Sequence, residues 1–582
     1  MLSVKNLVET HYPNFVQRHS RAARILIRFL GFIFYESRLQ QFEKEHPHLE
    51  GFDFVEAVLK YFDFTLRLRD NERDRIPAIG PVVIVANHPL GSLDGLALLN
   101  LVRKVRPDVK VVANQLLSTV IPLQDVLLPV NNMSGNTART NLRNIRQHLD
   151  DHGALIIFPA GEVSRFGPTG VKDGAWNNGF IKIASASQAP ILPIYVAGRN
   201  SLFFYSLSFL ARPLSSAWLV REMFKQNHNT VDARIGRSIP HDIYSARGLK
   251  PVQLAKLFRK HLYRIGRNAQ AIFQTIETVA PPENRLLLKR ELSQCETLGD
   301  TPDGKQIILY KQESNDCVMR EIGRLRELTF RTVGEGSGQP RDLDRFDRDY
   351  FQLILWDPEE LEIAGAYRIG EAGKLNSDPG TSGLYTNTLF EFGPAMEPII
   401  QQGLELGRSF VQPKYQDRKS LDYLWCGIGA FIQRFPQYRY LFGGVSVSRI
   451  YGEQACSRLL NFYSHYHNGS HLQVRARNPF TPLPTPESEF DGANRCKDFI
   501  ELKKFLADSD LSIPALYKHY ADAVEVDGVS FSAFNIDPNF ADCVDSLIVM
   551  DLQRLKQRHK KRYLGGARKQ PDSTVSASTN GS

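Results

Sequence analysis

Residues 82–95 read Val82-Val-Ile-Val-Ala-Asn87-His88-Pro89-Leu90-Gly91-Ser92-Leu93-Asp94-Gly95. The apolar run at its start predicts a strand buried on both faces, as in a sheet flanked by helices. Pro89, Gly91 and Gly95 then predict a turn. On an ideal helix His88 and Asp94 point about 240° away from each other, so they meet only if the chain turns between them. A histidine held by a carboxylate is what a general base needs to take a proton from an alcohol, the carboxylate fixing the tautomer and stabilising the imidazolium. The spacing alone equally suits a helix-start histidine beside a capping aspartate.

Working outward, short apolar runs at 109–113, 154–158 and 191–197, with a helical pattern at 137–150, predict an α/β unit. From Val252 to about Val279 apolar residues follow helical spacing, with Lys256, Arg259, Lys260, Arg264 and Arg267 on the remaining faces. Pro281, Pro282, Gly299, Pro302 and Gly304 mark residues 280–305 as a linker, which places a domain boundary near residue 300. The pattern then restarts with a helix at 316–331, strands at 351–356, 362–369 and 406–411, a helix at 418–434 and a strand at 440–447. Residues 473–495 read as a long surface loop. A strand at 543–550 leads into a basic helix, and 565–582 has the composition of a disordered tail.

At 582 residues, 42% hydrophobic and 23% charged, the chain is long enough for two domains and too polar for a polytopic membrane protein. Its net charge of +9 conceals an asymmetry: +12 over 1–300, −10 over 301–553 and +7 over 554–582. Six scattered cysteines without a C-x-x-C pair argue against a zinc site or disulfide framework and suit a reducing cytoplasm. His465 and His467, read as surface residues, have no evident third ligand, so no metal is expected. Neither a signal peptide nor a spanning helix is expected. The runs Ile25–Tyr35 and Leu202–Leu210, beside Arg21, Arg24, Arg28, Arg38, Arg212 and Arg221, suit helices in a lipid interface or core helices with one polar edge. The basic tail lacks the stacking motif of a nucleic-acid module.

Two later segments extend the His88 motif. Phe158-Pro159-Ala160-Gly161-Glu162-Val163-Ser164-Arg165 follows a strand, and Pro190-Ile191-Leu192-Pro193 opens the next. In this order, over about 70–240, the pieces resemble the glycerophospholipid acyltransferase family. The resemblance implies catalysis by His88 with Asp94 and an anionic head group at Glu162 and Arg165. Here five residues separate His88 from Asp94 instead of the commoner four, and Ala160 stands where glutamate is usual.

In the second half, Asp344-Arg345-Phe346-Asp347, Gly365-Ala366-Tyr367-Arg368 and Glu405-Leu406-Gly407-Arg408 place charges beside strand-like runs. Singly, each suits a strand edge or a surface salt bridge. In order, with Leu424-Trp425, Gly443-Gly444-Val445-Ser446, Asp537-Pro538-Asn539-Phe540 and Asp545, they resemble the acyl-homoserine-lactone synthases and, more closely, the ornithine N-acyltransferases. This implies an N-acetyltransferase (GNAT)-like α/β domain over about 301–564 that attacks a thioester with an amine. In it Glu405 would accept the proton, Arg368 and Arg408 would hold the amino-acid carboxylate or fix the strand, and Asp344 and Asp347 would attract a cationic side chain. Acyl carrier protein would dock on Arg320, Arg324, Arg326 and Arg331.

Together the halves resemble the bifunctional ornithine-lipid synthases. The resemblance implies acyl carrier protein or coenzyme A thioesters as donors, no tightly bound cofactor, ornithine and a lyso-aminolipid as substrates, and an anionic surface on the cytoplasmic face of the inner membrane. A lysophospholipid acyltransferase fused to an unrelated amine acyltransferase, and a non-catalytic membrane- or carrier-binding protein, are the alternatives.

Overall fold

The computed structural model describes residues 20–565, apart from 34, 70, 115–119, 131–138, 169, 211, 313–316, 378–382, 417–418, 485–489 and 491–493. The expected tail from 566 onward lies outside them, as does part of the 473–495 loop. The chain divides into two compact units, Met1–Pro281 and Pro282–Ser582. The boundary thus falls before residue 300, because Glu296–Asp300, read as linker, is a strand paired with Gln306–Lys311 of the second unit.

In chain order the first unit holds β1 (Thr65–Arg67), β2 (Val82–Ala86), β3 (Lys110–Asn114), β4 (Leu127–Val130), β5 (Ala154–Ile157), the hairpin β6 (Arg165–Gly167) and β7 (Gly170–Lys172), β8 (Ile191–Val196) and β9 (Thr230–Ile235). Apart from the hairpin they form one sheet, ordered β1-β9-β8-β2-β5-β3-β4. β2 runs parallel to β5 and β8 and is wholly buried. Val82, Ile84 and Ala86 pack with Leu93, Leu98 and Val102 of the helix Ser92–Arg103. Val83 and Val85 pack on the other face with Ile181 and Phe258 of the helices Gly179–Ala186 and Pro251–Ile265. Each valine or isoleucine so buried contributes about 1.5–3 kcal/mol, which fixes the register of this strand. The helix read as running to about Val279 ends at Ile265. Gly266 packs against Tyr195 so closely that a Cβ would stand 2.7 Å from the ring, and Ile276 later bridges Ser238.

The second unit holds β10 (Glu296–Asp300), β11 (Gln306–Lys311), β12 (Phe351–Asp357), β13 (Glu362–Glu371), β14 (Phe390–Glu391), β15 (Gly403–Val411), β16 (Tyr440–Val447), β17 (Arg475–Ala476), β18 (Val529–Asp537) and β19 (Cys543–Asp551). Its main sheet runs β10-β11-β12-β13-β15-β16-β19-β18. Neighbours are antiparallel except β15 and β16, which pair in parallel only over Gly403–Glu405 and Tyr440–Phe442. Beyond that point the two strands are unpaired. Gly443 permits their close start, since a Cβ there would lie 2.0 Å from the Leu406 carbonyl oxygen. Arg408 then takes a left-handed φ of +49°, opposite a register shift between Ala366 and Arg368 of β13. His467 is buried, not at the surface: its Nδ1 lies 3.1 Å from the Val526 carbonyl oxygen. Among the described residues no helix is long and apolar enough to cross a membrane.

Candidate active sites

The first site grows from the buried end of β2. The Asn87 side chain exchanges two hydrogen bonds with the Val196 backbone, both 2.8 Å, fixing the strand end against β8. The chain turns at Gly91, whose φ of +101° suits glycine, and enters the helix Ser92–Arg103 with Asp94 in its first turn. Asp94 is fully buried and accepts the backbone N–H groups of Leu90 and Gly95, each at 2.9 Å. A helix start leaves such donors unpaired, so a carboxylate is stabilised there. His88 Nδ1 lies 3.1 Å from Asp94 Oδ1. A proton on Nδ1, the nitrogen facing Asp94, would leave Nε2 as the acceptor, on a ring that stays 21% exposed.

Two further segments close on His88. Phe158 sets its ring 4.3 Å from the imidazole, and Ser164 N–H donates to the His88 carbonyl at 2.8 Å. Asp173, just after β7, accepts from His88 N–H at 3.3 Å, Ser164 Oγ–H at 2.6 Å and Trp176 Nε1–H at 2.9 Å. Burial of His88 disfavours its charged form, yet the Asp94 carboxylate, with help from Asp173, outweighs this and raises its pKa. A base must be neutral to act. Transfer at this site is therefore expected to rise with pH through a value above the usual 6.5 of histidine. Asp173→Asn removes a carboxylate that favours the imidazolium. It is expected to shift that rise to lower pH and to slow the reaction by about 10- to 100-fold through loss of positioning. A pH–rate profile that keeps its position would reduce Asp173 to a structural link.

Glu162 and Arg165 meet each other rather than standing open to a head group. Arg165 Nη2 is 3.0 Å from Glu162 Oε2, and Nη1 donates to Ser208 Oγ at 2.5 Å and Ser215 Oγ at 3.3 Å.

The second site lies where β15 and β16 part. A cavity of about 70 Å³ has Tyr367, Tyr385, Arg408, Ser446 and Asp545 in its wall. Several residues expected to hold substrate here hold one another instead. Arg326 pairs with Asp347 at 2.8 Å, and Arg368 pairs with Asp344 at 2.7 Å and Asp347 at 3.3 Å. Arg408 pairs with Asp342 at 3.0 Å and lies 3.6 Å from Asp344. Three arginines thus neutralise three aspartates, so Asp344 and Asp347 have no charge left for a cationic side chain. Arg368, 1% exposed, is likewise a strand anchor; of these residues Arg408 alone lines the cavity.

Glu405, expected to accept the proton, is held by three donors. Its carboxylate accepts from Tyr350 OH and from the backbone N–H groups of Thr386, at 2.6 Å, and Tyr385, at 3.2 Å. These bonds pin the chain around Tyr385, and Glu405 does not stand in the cavity wall. The proposed carrier-docking arginines are similarly engaged: Arg320 with Glu283, Arg324 with Glu321, Arg326 with Asp347 and Arg331 with Glu327. Two carboxylates not anticipated from the sequence hold residues of the wall from behind: Asp342 pairs with Arg408 and Glu335 accepts from Ser446 Oγ. Asp342 is hinted at by its alternation with Asp344. Glu335 lies between Gly334 and Gly336 just past a helix, which gives no chemical signal.

The acyltransferase family model matches residues 10–271, and the acetyltransferase (GNAT) domain model matches residues 325–426. The glycine N(alpha)-acyltransferase of Bacteroides thetaiotaomicron is 30% identical over 307 residues, which cover 50% of this chain and 90% of that protein. The lyso-glycine lipid O-acyltransferase of Phocaeicola vulgatus is 27% identical over 256 residues, 43% of this chain and 90% of that protein. The L-ornithine N(alpha)-acyltransferase of Brucella abortus is 26% identical over 261 residues, 42% of this chain and 84% of that protein. The expected fold class holds: an N-terminal acyltransferase domain and a C-terminal GNAT-like domain, both α/β. The protein is an acyltransferase related to enzymes of aminolipid synthesis, and the chain belongs to the acyltransferase family that includes the Bacteroides glycine N(alpha)-acyltransferase.

Proposed function

We propose that this chain is a bifunctional aminolipid synthase. The second unit transfers a 3-hydroxyacyl group from a carrier-protein or coenzyme A thioester to the α-amine of an amino acid. The first unit then acylates the 3-hydroxyl of that lyso-lipid from a second thioester, with His88 Nε2 taking the hydroxyl proton and Asp94 stabilising the imidazolium. The observation that carries this reading is that one chain matches both a glycine N(alpha)-acyltransferase and a lyso-glycine lipid O-acyltransferase, each over 90% of its length. The pairing of Glu162 with Arg165 agrees with an acceptor that has no glycerol phosphate.

Ornithine is the amino acid of choice on charge. Glu335, Asp537 and Asp545 lie close enough to interact electrostatically, an excess that suits a second ammonium group. Glycine is the second reading, favoured by relatives at 30% and 32% identity that carry its name.

The first unit also has features that suit a membrane-borne intermediate. Ile25, Phe29 and Phe32 are exposed on the helix Ser20–Ile33, and Leu202 and Phe203 are exposed on another. Arg221 and Trp218 link them, the Arg221 guanidinium standing 5.1 Å from the Phe32 ring and Trp218 standing 4.9 Å from Phe203. Arginines beside exposed apolar residues match helices that lie on anionic lipid, here the cytoplasmic face of the inner membrane. A cavity of about 320 Å³, lined by Phe42, Phe54, Val58, Tyr61, Val120 and Met223 among others, is sized for part of an acyl chain.

The test is expression in a bacterium that makes no aminolipid, followed by mass spectrometry of extracted lipids. New diacylated ornithine or glycine species are expected, and the amino acid found decides between the two readings. Soluble protein with no acylated amino acid of any kind would overturn the proposal.

A further inference from the structure

Glu405 is tied into the chain around Tyr385, so the amine's proton needs another acceptor. Asp545, on β19, stands in the wall of the 70 Å³ cavity and is 7% exposed. It is opposite Ser446 in the sheet, and its carboxylate lies over Gly444, whose Cβ would come 3.6 Å from Oδ1. The contact made by its oxygens is a weak one, from the Cys543 thiol at 3.8 Å. A buried carboxylate without strong donors is costly unless a cation comes to it.

Tyr367, 1% exposed, stands in the same wall, its hydroxyl beside Ser409 and Tyr520. Arg408, paired with Asp342 at 3.0 Å, completes the wall.

We propose that Asp545 is the amine subsite of the second unit: it binds the substrate's α-ammonium and is the catalytic residue that accepts its proton. The inference rests on the N-acylation reading given above. The ammonium gives one proton to the Asp545 carboxylate, and the neutral nitrogen attacks the thioester carbonyl carbon. The C–N bond forms, the C–S bond breaks, and the second nitrogen proton goes to the departing thiolate. Amide, thiol and protonated Asp545 result, and Asp545 returns its proton to water.

The groups facing Asp545 suit this task. Glu335, which accepts from Ser446 Oγ at 2.9 Å, and Asp537, which accepts from Tyr385 OH at 3.3 Å, repel its negative form. Burial is the largest cause raising its pKa well above the usual carboxylate range, Asp537 and Glu335 add to it, and Arg408 and the Cys543 thiol oppose it. Tyr385 and Tyr517 are the other titratable groups that sense this charge.

The experiment compares full-length chains for N-acylation of a free amino acid by a 3-hydroxyacyl thioester, with O-acylation of a supplied lyso-lipid as the folding control. Asp545→Asn is expected to lower kcat/KM for N-acylation by about 10²- to 10⁴-fold, to abolish the acidic limb of its pH profile and to leave O-acylation unchanged. N-acylation within about 3-fold of the unsubstituted chain, with the limb intact, would overturn the assignment. Should Asp545→Asn lose both activities, Glu335→Gln decides: removing its repulsion should move the limb to lower pH, and an unmoved limb overturns the proposal. If the unsubstituted chain N-acylates nothing, the functional reading falls and the assignment with it. Normal N-acylation by the unsubstituted chain with an indifferent Asp545→Asn sinks the assignment alone.

Discussion

His88→Ala is expected to stop the pathway halfway. Cells expressing it should accumulate the mono-acylated lyso-lipid and lack the diacylated product. The O-acylation rate should fall by about 10²- to 10⁴-fold, the usual contribution of a positioned general base. The expectation follows from the geometry: Nδ1 stands 3.1 Å from a fully buried carboxylate that two helix-start amides already hold in place. The effect should be confined to the second step, because His88 belongs to the first unit and the cleft between β15 and β16 to the second. Lipid extracts analysed by mass spectrometry check this, and undiminished diacylated lipid would refute the assignment of His88.

The largest expected effect on stability comes from Arg368→Leu. Arg368 is 1% exposed and bridges Asp344 and Asp347, and Asp347 is also held by Arg326. Replacing all members of such a network with apolar residues is often neutral, but removing one leaves buried carboxylate charge short of its partner. That costs about 3–5 kcal/mol. Hydrogen exchange of peptides from β12 and β13 in the full chain measures the loss within the second unit. A change below about 1 kcal/mol would place the network among weak surface pairs. The same network makes the unit acid-sensitive. Burial would raise the Asp347 pKa, but Arg326 and Arg368 override it and hold the carboxyl below the usual range. Its contribution is therefore complete above the unfolded pKa of about 4 and is lost as the pH falls through the depressed value.

Much of the fold was legible because it follows from local pattern. β2 was read from its apolar run, and β16 matches its expected span of 440–447. Missed strands have weaker signatures: β1 is three residues long and largely exposed, and β9 alternates buried and exposed residues at the sheet's antiparallel end. Of the sites, His88 and Asp94 were legible since a short turn brings them together. Asp173 was not, because its hydrogen bond to His88 spans 85 positions of sequence.

The charged residues of the second unit show the opposite limit. Sequence order marked Asp344, Asp347, Arg368, Glu405 and Arg408 as a group, and the structure does gather them. Sequence could not say which charges cancel. Arg368 and the aspartates neutralise one another and Glu405 accepts backbone amides, whereas Asp545, on the last strand in chain order, stands in the cavity wall.

The most direct measurement is a time course with the purified full-length chain, isotope-labelled amino acid, a 3-hydroxyacyl thioester and a second acyl thioester, followed by mass spectrometry. The account predicts that label enters the mono-acylated amino acid first and passes from it into the diacylated lipid, and that His88→Ala halts it at the first product. Diacylated lipid formed with no mono-acylated precursor, or formed as fast by His88→Ala, would contradict a chain that carries two acyl transfers in sequence.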